Sequence, residues 1–460
     1  MFSPETYIRR RTILRKSIDT GIILLMGNEE SPMNYPDNTF PFRQDSTFLY
    51  YFGMDTPGLA GIIDIDEGKD IIFGDDLSID MIVWMGKQPG LSFRAEEYGI
   101  NDIEGSDKLN GYLRRAMNGG RAIHYLPPYR PENKIRLFNL LDIHPDELAE
   151  NASTDLVIAM VRQREIKSQE EIEEIELAVN ISADMHIEAI KMARPGMRES
   201  EIAARIEEIA LAANVRPAFP VIATINGQTL HNHYHGNIIQ RGDLFLVDAG
   251  AESPMHYAGD LSSTFPVDIT FTDRQKDIYR ITLDAHRAAV NHLSPGIPFK
   301  DAHMAACCEI FDGLKSLGLT RGNTAEAVEQ GAHALFFPCG TGHMMGLDVH
   351  DMEDLGEVWV GYNGIPKSTL FGLKSLRLAK PLKPGFVLTI EPGIYFIPDL
   401  IDMWRSEKRF DDFLNYNEID KFRDFGGIRN EEDFLITENG CRLLGNPVPK
   451  TIEEVESYRQ

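Results

Sequence analysis

The sequence predicts a two-domain α/β (α+β) protein, and three observations carry that reading. The chain has 460 residues, long for one domain at roughly 100–200 residues each. Residues 1–167 alternate short apolar runs with turn signals and helical patterns, as a small α/β domain does. From residue 168 to the end, a helix, a Pro-Gly stop and a second helix occur twice.

In the N-terminal domain, Gly21–Met26, Gly61–Ile65, Ile71–Phe73 and Met81–Trp84 read as buried strands. The boundary follows at Ser168-Gln-Glu-Glu171, a capping box in which the serine oxygen takes an early helix N–H and the glutamate reaches back. The helix behind it carries Ile172, Ile175 and Val179 at helical spacing and stops at Pro195-Gly196. A second helix, Glu199–Ala213, has the stripe Ile202, Ile206 and Ile209. Thr272-Asp-Arg-Gln275 opens the second copy, which stops at Pro295-Gly296 and continues as a helix over Asp301–Leu317. A duplicated half with pseudo-twofold symmetry explains the echo; ordinary Pro-Gly punctuation between helices explains it as well.

Composition narrows the functional classes. Hydrophobic residues make up 43% of the chain, enough for a sizeable core. The 46 basic and 71 acidic residues leave a net charge of −25, which repels nucleic-acid phosphates and anionic lipid, so neither nucleic acid nor a membrane is an expected partner. Four cysteines, Cys307, Cys308, Cys339 and Cys441, are too few for a disulfide framework. The Arg-rich N-terminus is followed by no apolar stretch longer than Ile22–Met26, too short for a signal peptide or a bilayer span. A cytoplasmic protein is expected.

The chemistry lies in acids and histidines at strand ends. Leu244-Phe-Leu-Val-Asp248-Ala-Gly and Val387-Leu-Thr-Ile-Glu391-Pro-Gly are apolar strands ending in carboxylates. Gly259-Asp260-Leu-Ser-Ser-Thr and Gly427-Ile-Arg429-Asn-Glu431-Glu-Asp supply two more acids, and Gly342-His343 with His350 brings imidazoles. Each alone is an ordinary turn former or cap. Together they are four acids with few cations nearby, costly to desolvate unless something positive meets them. A pair of divalent ions is the simplest neutraliser, and the oxygen-rich set suits Mn²⁺, Co²⁺, Fe²⁺ or Zn²⁺. Two such ions roughly 3.5–4 Å apart acidify a shared water.

These motifs resemble the pita-bread metallopeptidases, the family of prolidase, aminopeptidase P and methionine aminopeptidase. Phe42-Arg-Gln-Asp-Ser46, Thr56-Pro-Gly58, Gly61–Gly68 and Val83-Trp-Met-Gly86 are similar to the creatinase-like N-terminal domain of the first two, and the long Tyr395–Gly427 segment looks prolidase-like. The resemblance implies a pita-bread domain over 168–460 holding two divalent metals, Mn²⁺ first, with Co²⁺ or Zn²⁺ as alternatives. It implies that Asp248, Asp260, His343, Glu391 and Glu431 are the ligands, with Glu391 also shuttling protons. His350 would meet the scissile carbonyl, and Tyr395 and Arg429 would support ligands or touch substrate. Trp84 and Arg164 match cleft positions. Either His231 or His233 takes the family's substrate histidine, His231 by its preceding leucine. Cys339 stands where the family carries a histidine against the substrate proline.

The implied function is hydrolysis of Xaa-Pro bonds in small peptides, as a dipeptidase or as an aminopeptidase on longer peptides, with a non-catalytic binding protein as the remote alternative. The resemblance also implies a homodimer or homotetramer.

Overall fold

The computed structural model describes residues 1–460 and divides into two compact units, Met1–Arg164 with Met352–Trp359, and Glu165–Asp351 with Val360–Gln460. The short 352–359 segment therefore belongs with the N-terminal unit although it is far away in sequence.

The N-terminal unit is built on a five-stranded mixed sheet. Its strands run in the order Asp102–Glu104, Lys69–Phe73, Ala60–Asp64, Ile22–Met26, Ile123–His124. The three central strands pair antiparallel, and the two edges pair parallel. Ile22, Leu24, Ile62, Ile71 and Phe73 bury one face against Leu109 and Leu113 of the Lys108–Asn118 helix and Leu137 of the Pro131–Leu141 helix. The basic N-terminal run is not a surface patch. Arg11 is wholly buried, and its guanidinium donates to the Tyr51, Tyr98 and Gly99 carbonyls and to Asp70.

Three of the four expected strands form. The exception is Met81–Trp84, which lies inside a helix, Ile79–Met85, whose first turn is capped where Ser78 Oγ accepts the Met81 N–H at 3.2 Å. None of its residues is buried, so the apolar run is not the core strand its composition suggests.

In the C-terminal unit both capping signals work. Glu171 reaches back to the Ser168 N–H at 2.9 Å and opens the helix Gln169–Met192. The Thr272 N–H donates to Gln275 Oε1 at 2.9 Å and the Gln275 N–H to Thr272 Oγ1 at 3.3 Å, which opens Asp273–Val290. Each long helix is followed by another, Glu199–Ala212 and Phe299–Ser316. Each pair then leads to a three-stranded antiparallel sheet: Ile222–Thr224, Leu244–Ala249 and Leu261–Pro266 in one half, and Gly440–Leu443, Glu432–Thr437 and Val387–Ile390 in the other. Helix, helix, sheet thus occurs twice. A two-stranded ribbon, Gly393–Tyr395 with Gly427–Arg429, and a bridge between Ser262 and Glu431 lie where the halves meet. No helix is long and apolar enough to cross a membrane.

Candidate metal centre

The strand-end acids converge because glycines let backbones touch. A Cβ on Gly250, two residues after Asp248, would stand 1.8 Å from the Gly259 carbonyl oxygen. A Cβ on Gly342 would stand 2.0 Å from the Thr389 carbonyl. Neither position accepts a side chain, and these close approaches set Asp260 and His343 beside their neighbours. The Thr389 hydroxyl accepts the His343 N–H at 3.2 Å, and the Glu391 N–H donates to the Thr341 carbonyl at 2.7 Å.

Asp260, His343 and Glu431 are each about 5% exposed or less, and one donor atom from each lies within 4.8 Å of the others. His343 Nε2 is 3.3 Å from Asp260 Oδ2 and 3.8 Å from Glu391 Oε1. Its Nδ1 is 3.0 Å from the Met344 carbonyl, which only accepts, so Nδ1 carries the proton. In the neutral ring, Nε2 therefore turns a lone pair toward two carboxylates. Only a proton or a metal cation reconciles those groups. Asp260 Oδ1 is buried with no hydrogen-bond partner.

The electrostatics agree. Burial, then Asp248, pushes the Asp260 pKa well above the carboxylate range. Burial, then Asp260, does the same to Glu431. Burial also raises Glu391, against the opposing pull of His343 and Arg429. Burial and mutual repulsion thus disfavour the ionised forms, and a divalent pair would offset that penalty. The donor set fits two hard or borderline divalent ions.

Arg429 organises the rim. Fully buried, it donates through Nη2 to Asp248, through Nη1 to the Tyr395 hydroxyl at 3.0 Å and through Nε to Ser262 Oγ at 3.0 Å. That serine donates in turn to Glu431 Oε2 at 2.7 Å. His350 is half-buried, its ring edge-on to His343 at 4.2 Å between centroids. His231 opens to solvent on one side, and desolvation on the other, then the Arg429 charge, lowers its pKa; Asp248 and His350 also act on it. His233 is exposed, while His235 meets the Val221 carbonyl at 3.1 Å. Cys339 lies among Glu391, Arg429 and Tyr395, its thiol pushed up to about 12 by burial and then by Glu391.

Two expected contacts sit in the N-terminal unit. Trp84 is 83% exposed on its helix. Arg164 is buried and donates to Thr47 Oγ1 at 2.7 Å.

Ser262 and Asp433 join the site without being among the expected ligands or contacts. Asp433 is fully buried, and its Oδ2 accepts the Asp260 N–H at 3.1 Å. Both lie two residues from a strand-end acid, Ser262 after Asp260 and Asp433 after Glu431, and so share a strand face with it. That period was the available signal.

Residues 173–438 match metallopeptidase family M24, and residues 7–124 match the aminopeptidase P N-terminal domain. A human protein named Xaa-Pro dipeptidase is 31% identical over 455 residues, 95% of this chain and 88% of the relative. The solved aminopeptidase PepP of Pseudomonas aeruginosa superposes with a TM-score of 0.81 at 28% identity, covering 99% of this chain and 98% of that one. Escherichia coli aminopeptidase P, solved with the inhibitor Pro-Leu, gives the same TM-score, identity and coverage.

Proposed function

The chain belongs to metallopeptidase family M24, and on that premise we propose that it hydrolyses the bond between an N-terminal residue and a following proline, as an Xaa-Pro dipeptidase. The observation that carries the reading is the convergence of Asp260, His343 and Glu431, with the His343 Nε2 lone pair turned onto carboxylates.

Asp248, Asp260, His343, Glu391 and Glu431 would hold two divalent ions, Mn²⁺ first among those the donors suit, with Co²⁺ and Zn²⁺ as alternatives. When bound, such a pair lowers the pKa of a shared water and offsets negative charge at the scissile carbonyl. The remaining work falls to the protein. Glu391 keeps its side chain 22% exposed while the other acids are more deeply buried, so its carboxylate can take a proton from the attacking water and deliver it to the leaving proline nitrogen. The proline nitrogen leaves as an amine once it carries that proton. His350, against His343, donates to the carbonyl oxygen as charge builds there. Arg429 locks Asp248, Tyr395 and, through Ser262, Glu431 in place. His231, near Arg429 and Asp248, or the exposed His233, takes the outer end of the substrate. Cys339 lies where the proline ring would rest, a smaller and weaker hydrogen-bonder than histidine.

The dipeptidase reading draws on the long Tyr395–Gly427 segment and on relatives of that name at 30–31% identity. The solved aminopeptidases favour the second reading, release of Xaa from longer peptides. Comparing Ala-Pro with Ala-Pro-Ala separates them. Hydrolysis of the dipeptide is expected; cleavage of the tripeptide alone would select the aminopeptidase. Four free cysteines support a reducing, cytoplasmic setting. The repeated helix-helix-sheet half supports the pita-bread description, and the likeness to prolidase supports a homodimer or homotetramer.

A further inference from the structure

Beside Thr341, whose carbonyl takes the Glu391 N–H, three buried side chains that the proposed hydrolysis does not use converge in the C-terminal unit. His303 and Cys307 are four residues apart on the Phe299–Ser316 helix and so share a face. His333 comes from the 3₁₀ turn Ala332–Leu335. All three are 0% exposed, and one donor atom from each lies within 4.8 Å of the others. Cys307 Sγ is 3.5 Å from His303 Nε2, while His303 Nδ1 is held by Thr341 Oγ1 at 2.8 Å. The Val328 backbone is the one polar neighbour that acts on the His333 ring, and neither ring nitrogen has a well-formed hydrogen bond. Val328 can serve only one of the two nitrogens, and a fully buried imidazole nitrogen left without a partner is unfavourable unless something fills the gap.

We propose that His303, Cys307 and His333 form a three-coordinate site for a soft, thiophilic cation, cuprous copper. Two imidazoles and a sulfur are the ligands such an ion selects. Burial holds both rings neutral, with pKa values pulled down to about 3 for His303 and about 4 for His333, so each presents a lone pair. On binding, the Cys307 thiol releases its proton to solvent and a sulfur–copper bond forms, with no change of oxidation state. One thiolate charge then cancels one metal charge. A divalent ion at the same three ligands would leave a net positive charge in a fully buried pocket, which desolvation penalises. Structural zinc sites also take four protein ligands, and only three meet here. The Thr341 hydroxyl fixes the His303 ring so that Nε2 faces the sulfur. Occupied, the site pins the Phe299–Ser316 helix to the Ala332–Leu335 turn.

The test uses the full chain loaded with Mn²⁺ and offered cuprous ion anaerobically from its bicinchoninate complex, with copper counted after desalting. The wild type should keep one copper per chain, and its thermal midpoint should rise. Cys307→Ser and His333→Leu should keep none, whereas Cys308→Ser, at the half-buried neighbouring thiol, should behave as wild type. X-ray absorption on the wild type should find one sulfur and two nitrogen neighbours, a readout that stands even where a variant folds poorly. No retained copper, equal retention by Cys307→Ser, or a copper shell without sulfur would overturn the proposal.

Discussion

Asp433 holds Asp260 by its backbone: its Oδ2 accepts the Asp260 N–H at 3.1 Å from a fully buried side chain. Burial pushes the Asp433 pKa above the usual carboxylate range, and its role toward Asp260 is that of a hydrogen-bond acceptor, which needs no charge. The substitutions Asp433→Asn and Asp433→Ala should therefore part company. Asparagine preserves the acceptor without a charge and should leave stability near that of the wild type. Alanine strands a buried N–H, at a cost of about 1–3 kcal/mol, and frees Asp260 to shift, weakening metal affinity by about 10–100-fold. Thermal unfolding and a metal titration of both variants check this. Equal behaviour of the two would show that the acceptor does not position Asp260.

Glu391 is assigned both a ligand role and the proton transfer. Glu391→Ala should lower kcat on Ala-Pro by at least about 10²–10⁴-fold, the usual contribution of a positioned acid–base group. The substrate's KM should move much less. Near-normal turnover in a variant of verified metal content would remove Glu391 from the mechanism.

The stabilisation that metal confers should grow with pH. In the metal-free chain, burial and mutual repulsion raise the pKa values of Asp260 and Glu431 above their unfolded values. The folded state therefore binds more protons than the unfolded one. The contribution of these two acids to stability is greatest in mild acid and falls as pH rises from the ordinary carboxylate range toward the raised values. Divalent cations remove that penalty by binding the ionised forms. The gap in thermal midpoint between metal-loaded and metal-free protein should therefore widen from pH 5 to pH 8. Taking the difference cancels the contribution of His303 and His333, which is common to both forms. A gap that narrows with pH would contradict the reading.

Much of this was legible because local chemistry and fold agree. The capping pairs Ser168–Glu171 and Thr272–Gln275 announce the helices that open each half of the C-terminal unit. Asp248 and Glu391 stand out as carboxylates closing apolar strands. Met81–Trp84 misled because four apolar residues fit a strand or a helix equally well, and the Ser78 cap, not periodicity, decides it. Nothing in the motifs themselves gives Asp433 and Ser262 a role, since serving a backbone N–H or an arginine is settled only when strands distant in sequence pair. The addition of Met352–Trp359 to the N-terminal unit is likewise tertiary and leaves no mark on composition.

The most direct test removes the metal. The protein is stripped with a chelator, its metal content measured, and Xaa-Pro hydrolysis followed as Mn²⁺ is returned. Activity should vanish with the metal and recover as two ions bind per chain, and Asp260→Asn should recover neither metal nor rate. Full hydrolysis by a chain verified free of metal would contradict the central claim that these five side chains act through bound cations.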